Sequence, residues 1–200
     1  SDTYLFLIIL SPTGPYYAAP MKIYVEEQYT RAAPGGVGFA KNAGNYGASL
    51  LPFSLAREKG YDQVLWTDAH EHKYLQEVGT MNVFFIVGDK AITPSLEEGT
   101  ILAGVTRDSV ITVLREMGIA VEERPLSIDE LILFHKEGKF TEVFGTGTAA
   151  TISYIKELRY KDYEMHFDIE SLTVAKEVKR RLDAIRKCEV EDTHGWMYQL

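Results

Sequence analysis

Short apolar runs of strand length recur along this chain, and none approaches the roughly 20 residues a helix needs to cross a bilayer. The two longest, Leu5 to Leu10 and Val83 to Val87, have the length of buried strands. With their flanks they give strand-like runs at 4–10 and 82–88. Others rich in Val, Ile, Phe and Tyr lie at 21–26, 62–66, 119–123, 141–145 and 149–155. Helical periodicity appears in fewer places. Leu172, Val174, Ala175, Val178, Leu182 and Ile185 share one face of 172–187, and Val110, Ile111 and Leu114 do so in 107–117, which stops at Gly118. Ser127 with Glu130 three residues on is a capping box that opens a helix to about His135. Residues 45–59 read as a fourth helix that Pro52 kinks or breaks. Strands and helices do not alternate strictly. The pattern therefore predicts an α+β domain rather than a doubly wound parallel sheet.

A chain of 200 residues that is 46% hydrophobic can bury a core of its own and is not globally disordered. Twenty-one Lys+Arg against 29 Asp+Glu give a net charge of −8, which argues against nucleic acid or an anionic membrane as the main partner. Cys188 is the single cysteine, so no internal disulfide framework or Cys-rich zinc site exists, and a reducing, cytoplasmic setting is expected. Leu5 to Leu10 superficially resembles a signal-peptide core. It follows Asp2 rather than a basic leader, so the expectation is a buried strand.

Four segments carry residues suited to chemistry. Lys41 lies in the glycine-rich, nearly charge-free stretch Gly35 to Tyr46, where a lysine can be desolvated and become a nucleophile toward carbonyls; the alternative is a solvated loop lysine. In Gly104-Val105-Thr106-Arg107-Asp108, a threonine at a helix N-cap would leave backbone N–H groups free for an anion, or would simply cap the helix. Gly145-Thr146-Gly147-Thr148-Ala149-Ala150 lets backbone approach a ligand closely, or forms only a tight connection. Glu77 stands before the strongest strand and is either paired with a cation or placed at a wet strand end. His70-Glu71-His72 invites a metal, but no third ligand stands at a recognisable spacing, so none is assigned. None of the histidines sits in a neighbourhood diagnostic of a Ser-His-Asp arrangement.

Taken in order, Ser11-Pro12-Thr13-Gly14-Pro15-Tyr16, Lys41 to Tyr46, Asp62 to Trp66, Glu77-Val78-Gly79-Thr80-Met81-Asn82, Gly99 to Asp108, Glu122 to Pro125 and Phe144 to Ala150 resemble one family. It is the branched-chain amino-acid aminotransferases, within the fold type IV (class IV) pyridoxal-phosphate enzymes. The likeness runs from about Phe6 to Leu200 and is to the C-terminal, cofactor-binding domain, with mixed sheets in a pseudo-barrel and flanking helices. Residues 1–30 then include the segment arriving from the interdomain region. The resemblance implies that Lys41 forms the internal aldimine with pyridoxal phosphate and moves the substrate proton. It implies that Tyr46 bonds the phenolate oxygen, Glu77 pairs with the ring nitrogen and Leu102 covers the ring. Val105, Thr106 and Thr148 hold the phosphate. Thr148 and Ala149 receive the substrate carboxylate, while Tyr16, Thr80 and Met81 line the pocket. The implied substrates are leucine, isoleucine and valine with 2-oxoglutarate and glutamate, and the implied assembly is a homodimer.

Within the class, D-amino-acid transamination and aminodeoxychorismate lysis are the alternatives; outside it, a non-catalytic domain is. Phe39, Ala43 and Ala103 stand where many members carry Asp, Gly and Pro, and Pro52 interrupts a helix that usually lacks it. Ala150 and Ser153 replace the Cys-x-x-Cys pair of some relatives, so no thiol switch of that kind is expected. Family members also have a smaller N-terminal domain that gives an arginine to the phosphate. The expectation is that this chain lacks it and by itself binds cofactor weakly and turns over slowly or not at all.

Overall fold

A computed structural model describes residues 2–12 and 19–198. Its centre is β4 (Asn82–Val87), whose Val83, Phe85 and Val87 point into one apolar cluster while Phe84 and Ile86 point into another. Burial on both faces is why this run is continuously apolar rather than alternating. Around it the strands order as β3-β2-β1-β8-β7-β4-β5-β6, with β9 (Tyr163–His166) paired to β8 (Thr151–Tyr160). β1 (Met21–Val25) runs parallel to both β2 (Gln63–Thr67) and β8, and β5 (Lys90–Thr93) parallel to β6 (Ala120–Glu123). β3 (Leu75–Val78) and β7 (Phe140–Gly147) pair antiparallel to their neighbours, so the sheet is mixed. One face of nearly every strand, with α4 (Ile128–Lys136), encloses the larger cluster. On the opposite face, α3 (Val105–Glu116) and α5 (Val174–Arg186) pack on β4, β7 and β8.

The expected strands at 21–26, 62–66, 82–88, 119–123, 141–145 and 149–155 are β1, β2, β4, β6, β7 and β8. The run 4–10 is different. Tyr4 to Leu10 are 67–91% exposed and form no strand, so the buried strand expected there is not formed. Apolar character alone does not make a strand. A pairing partner is needed, and each of the nine strands pairs only within its own set.

The helices follow their local signals. Ser127 Oγ accepts the Glu130 N–H at 3.1 Å, closing the N-terminal half of the capping box of α4. The segment 45–59 divides into α1 (Ala43–Gly47) and α2 (Leu50–Glu58). Pro52 falls in the first turn of α2, where its missing N–H removes no intrahelical bond. The N-terminus of α5 is held by buried Glu142 of β7, which accepts the N–H groups of Thr173, Val174 and Ala175 at 2.7, 3.0 and 2.8 Å. A carboxylate there satisfies orphan donors and meets the positive end of the helix dipole.

The turn holding His70 and His72 is organised by Asp68. Its two oxygens accept the N–H groups of His70, Glu71, Lys73 and Tyr74 at 2.7–3.0 Å. Thr67 Oγ1 donates to the Glu26 carbonyl at 2.8 Å, so its contact with His72 Nδ1 at 3.0 Å must be accepted from the ring N–H. Among the described residues no group of three or more His, Cys, Asp or Glu is arranged to hold a metal. Burial alone raises the Asp68 carboxyl, but the four backbone donors outweigh it and hold it at about 2. A depressed carboxyl stabilises the fold above about pH 4, and the contribution vanishes as pH falls through 2. Asp68→Asn is therefore expected to be less stable at neutral pH and to have a flatter stability profile between pH 4 and 2, measured by urea unfolding across that range.

Candidate active site

Two asparagine amides order the nearly charge-free stretch 35–42. Asn45 Nδ2 donates to the Val37 and Ala40 carbonyls at 2.9 and 2.8 Å, and Asn42 Oδ1 caps α1 by accepting the Asn45 N–H. Gly38 presses this loop against the next one: a Cβ there would lie 2.6 Å from the Thr100 carbonyl oxygen. Lys41 ends the loop with its Nζ 3.4 Å from the Tyr46 hydroxyl. It is exposed, so of the two readings open from composition the solvated loop lysine is the one found in this chain.

Leu102, Ala103 and Gly104 approach from the other side. Asn82 Nδ2 donates to the Leu102 carbonyl at 2.8 Å, and a Cβ on Gly104 would collide with Asn82 Oδ1. Gly104, extended at φ −72° and ψ 132°, is the N-cap of α3 and gives it no side-chain cap. Thr106 is accordingly the second residue of the helix, not its N-cap: the chain turns helical as soon as the close approach at Gly104 is passed. The first N–H groups of α3 have no side-chain acceptor and carry the positive end of the helix dipole. The third wall is the β7–β8 hairpin, where Thr148, Ala149 and Ala150 form the turn and Gly147 pairs with Thr151. A Cβ on Gly145 would meet Met81 Cε at 2.8 Å, so the glycine makes room for Met81.

These walls enclose a cleft of about 630 Å³. Lys41, Tyr46, Thr80, Met81, Leu102, Val105, Thr106, Thr148 and Ala149, to which the resemblance gives roles, all line it. Tyr16 lies outside the described residues. Glu77 stands one layer behind, lining a small void with Tyr46, Thr80 and Leu102, which also face the cleft. It is 3% exposed. Its Oε1 accepts the Leu102 N–H at 2.8 Å, and its Oε2 pairs with Arg31 Nη2 at 3.3 Å. Burial pushes this carboxyl above the usual carboxylate range, against the opposing pull of Arg31, the Leu102 N–H and Lys41.

Three site residues were not singled out from sequence. Arg31 is the only charge between Glu27 and Lys41, and that isolation is the signal that marks it. Asn82 closes the Glu77 to Asn82 string and bridges to Leu102. Thr146 lines the cleft with a buried Oγ1 that has no partner among the described residues.

An amine, a hydroxyl beside it and an uncapped helix N-terminus thus converge on one cleft, with a buried carboxylate one layer behind. The family model described as amino-transferase class IV matches residues 1–158. The chain is 50% identical over 201 residues to a probable branched-chain-amino-acid aminotransferase of Staphylococcus aureus (strain N315), covering 98% of this chain and 56% of that protein. It is 48% identical over 200 residues to branched-chain-amino-acid aminotransferase 2 of Bacillus subtilis (strain 168), covering 98% and 55%. The chain therefore spans a little over half the length of these curated relatives. A crystal structure of the Escherichia coli branched-chain amino acid aminotransferase superposes with a TM-score of 0.80 at 30% identity, over 94% of this chain and 60% of that one. The PLP form of the Thermobaculum terrenum enzyme gives 0.71 at 28% identity, over 84% and 51%. The half-barrel sheet, the converging loops and these matches agree: the chain belongs to the class IV aminotransferases.

Proposed function

We propose that this chain forms the pyridoxal-phosphate-binding part of a cytoplasmic, homodimeric aminotransferase that acts on leucine, isoleucine and valine with 2-oxoglutarate and glutamate. The observation that carries this reading is the meeting of Lys41, Tyr46 and the uncapped N-terminus of α3 in one cleft. The donor set fits the cofactor. Free N–H groups and the unpartnered Thr146 hydroxyl at one end suit a phosphate dianion, and a carboxylate behind the wall suits a protonated ring nitrogen. Val105, Thr106 and Thr148 would hold the phosphate, Leu102 would cover the ring, and Tyr46 would donate to the ring oxygen. Glu77 would face the ring nitrogen with the lone pairs its present partners leave free. When bound, the cofactor supplies a conjugated ring that accepts the electron pair left at the substrate Cα.

The remaining work falls to the chain. Lys41, on an exposed stem at the edge of the cleft, would take and hold the proton of the substrate Cα. The backbone N–H groups of Thr148 and Ala149 offer the substrate carboxylate two donors at the tip of a hairpin. Thr80 and Met81 border the space left for an apolar side chain. Visible-absorbance titration with pyridoxal phosphate, then borohydride reduction and peptide mapping, is expected to place one stable adduct on Lys41. A substrate panel is expected to favour L-leucine over D-alanine. An adduct on another lysine, or activity confined to D-amino acids, would overturn the reading.

A further inference from the structure

Arg31 is buried, with a side chain only 7% exposed, and three groups converge on its Nη2. The nitrogen lies 3.3 Å from Glu77 Oε2, 2.5 Å from the Thr100 carbonyl and 3.3 Å from the Gly38 carbonyl. Each belongs to a different piece of the site: the carboxylate behind the ring, the loop leading to Leu102, and the loop bearing Lys41. A buried carboxylate ion-paired to a single cation depends heavily on it, because removing one member of such a pair leaves an uncompensated charge. The other groups around Glu77 replace it poorly. Lys41 is exposed, Tyr46 is neutral, and the Leu102 N–H is a single dipole.

We propose that Arg31 is a positioning residue of this site, keeping Glu77 anionic and clamping the Lys41 loop to the Leu102 loop around it. The inference rests on the functional reading above for its purpose, but not for its geometry. A guanidinium suits the task because it stays charged while one terminal nitrogen hydrogen-bonds two carbonyls and faces the carboxylate. Its action on the reaction is indirect. With Glu77 held as an anion, the ring nitrogen meets a negative charge rather than a neutral acid, and Lys41 and Leu102 keep their spacing across the cleft.

The test begins on the cofactor-free chain, so it does not depend on turnover. Infrared difference spectra at neutral pH would compare the unsubstituted chain with Arg31→Gln, Arg31→Lys and the double variant Arg31→Gln/Glu77→Gln. The C=O stretch of a protonated carboxyl is expected in Arg31→Gln alone. Pyridoxal-phosphate affinity is expected to fall at least about tenfold in Arg31→Gln and to be largely restored in Arg31→Lys. Absence of the band in Arg31→Gln, or equal loss of affinity in both single variants, overturns the proposal. If Arg31→Gln does not fold, Arg31→Lys decides. A protonated-carboxyl band there overturns the proposal, and an ionised Glu77 with near-native affinity supports it. If the whole enzyme takes up no cofactor at Lys41, the functional reading fails while the infrared result still judges Arg31.

Discussion

In the whole enzyme of which this chain is proposed to form a part, Lys41→Ala is expected to abolish the borohydride-stable pyridoxyl adduct and to reduce transamination of L-leucine by at least about 10³-fold, while leaving the fold intact. The kinetic figure follows from the two tasks proposed for one amine, covalent attachment and proton transfer, the second alone being worth about 10²–10⁴. The structural half follows from exposure. Lys41 sits at the end of a loop whose order comes from the Asn42 and Asn45 amides, and its exposed Nζ lies 3.4 Å from the Tyr46 hydroxyl. Its removal should shift stability by no more than about 0.5 kcal/mol. Peptide mapping after reduction, initial rates and thermal unfolding check the three parts separately. Residual turnover within tenfold of the unsubstituted chain would mean that another group moves the proton.

Phe144→Ala is expected to have the largest effect on the fold, about 3–5 kcal/mol measured by urea denaturation. Phe144 is fully buried in β7 and stacks on Phe84 of β4, with ring centroids 5.5 Å apart and planes 10° from parallel. The pair fills the layer between the sheet and helices α3 and α5, with Val110, Leu114, Ala175 and Val178 around it. Losses of that size consume much of the 5–15 kcal/mol by which domains are ordinarily stable. Phe144→Leu is expected to cost markedly less, because most of the volume is kept. A change below about 1 kcal/mol for Phe144→Ala would show that the layer collapses onto the gap.

Much of this architecture was readable from local pattern. β4 declares itself through five successive apolar residues, and α4 through Ser127 and Glu130. β3, β5 and β9 did not declare themselves, because each is four residues long and made by its partner. Leu75–Val78 contains Gln76 and Glu77, and it is a strand because β2 offers it an edge. Leu5 to Leu10 shows the converse: strong β character with no edge to join among the described strands. At the site, ordered motifs identified the cleft residues because glycines and short polar side chains carry positional meaning there. Arg31 escaped because it acts across space on Gly38, Glu77 and Thr100, and a one-dimensional string does not display that convergence.

The parallel pairing of Met21 with Ile155 bears on how the chain is born. During synthesis β1 leaves the ribosome long before β8 exists; at 5–20 residues per second the wait is on the order of ten seconds. Until then one side of β1 has no neighbour, and the β7–β8 hairpin that closes the cleft has not been made. Folds that depend on such distant pairings are slow and leave sticky edges open on the way. Cofactor capture is therefore a late event in biogenesis. Its onset on nascent chains of increasing length would mark the moment at which the half-barrel closes.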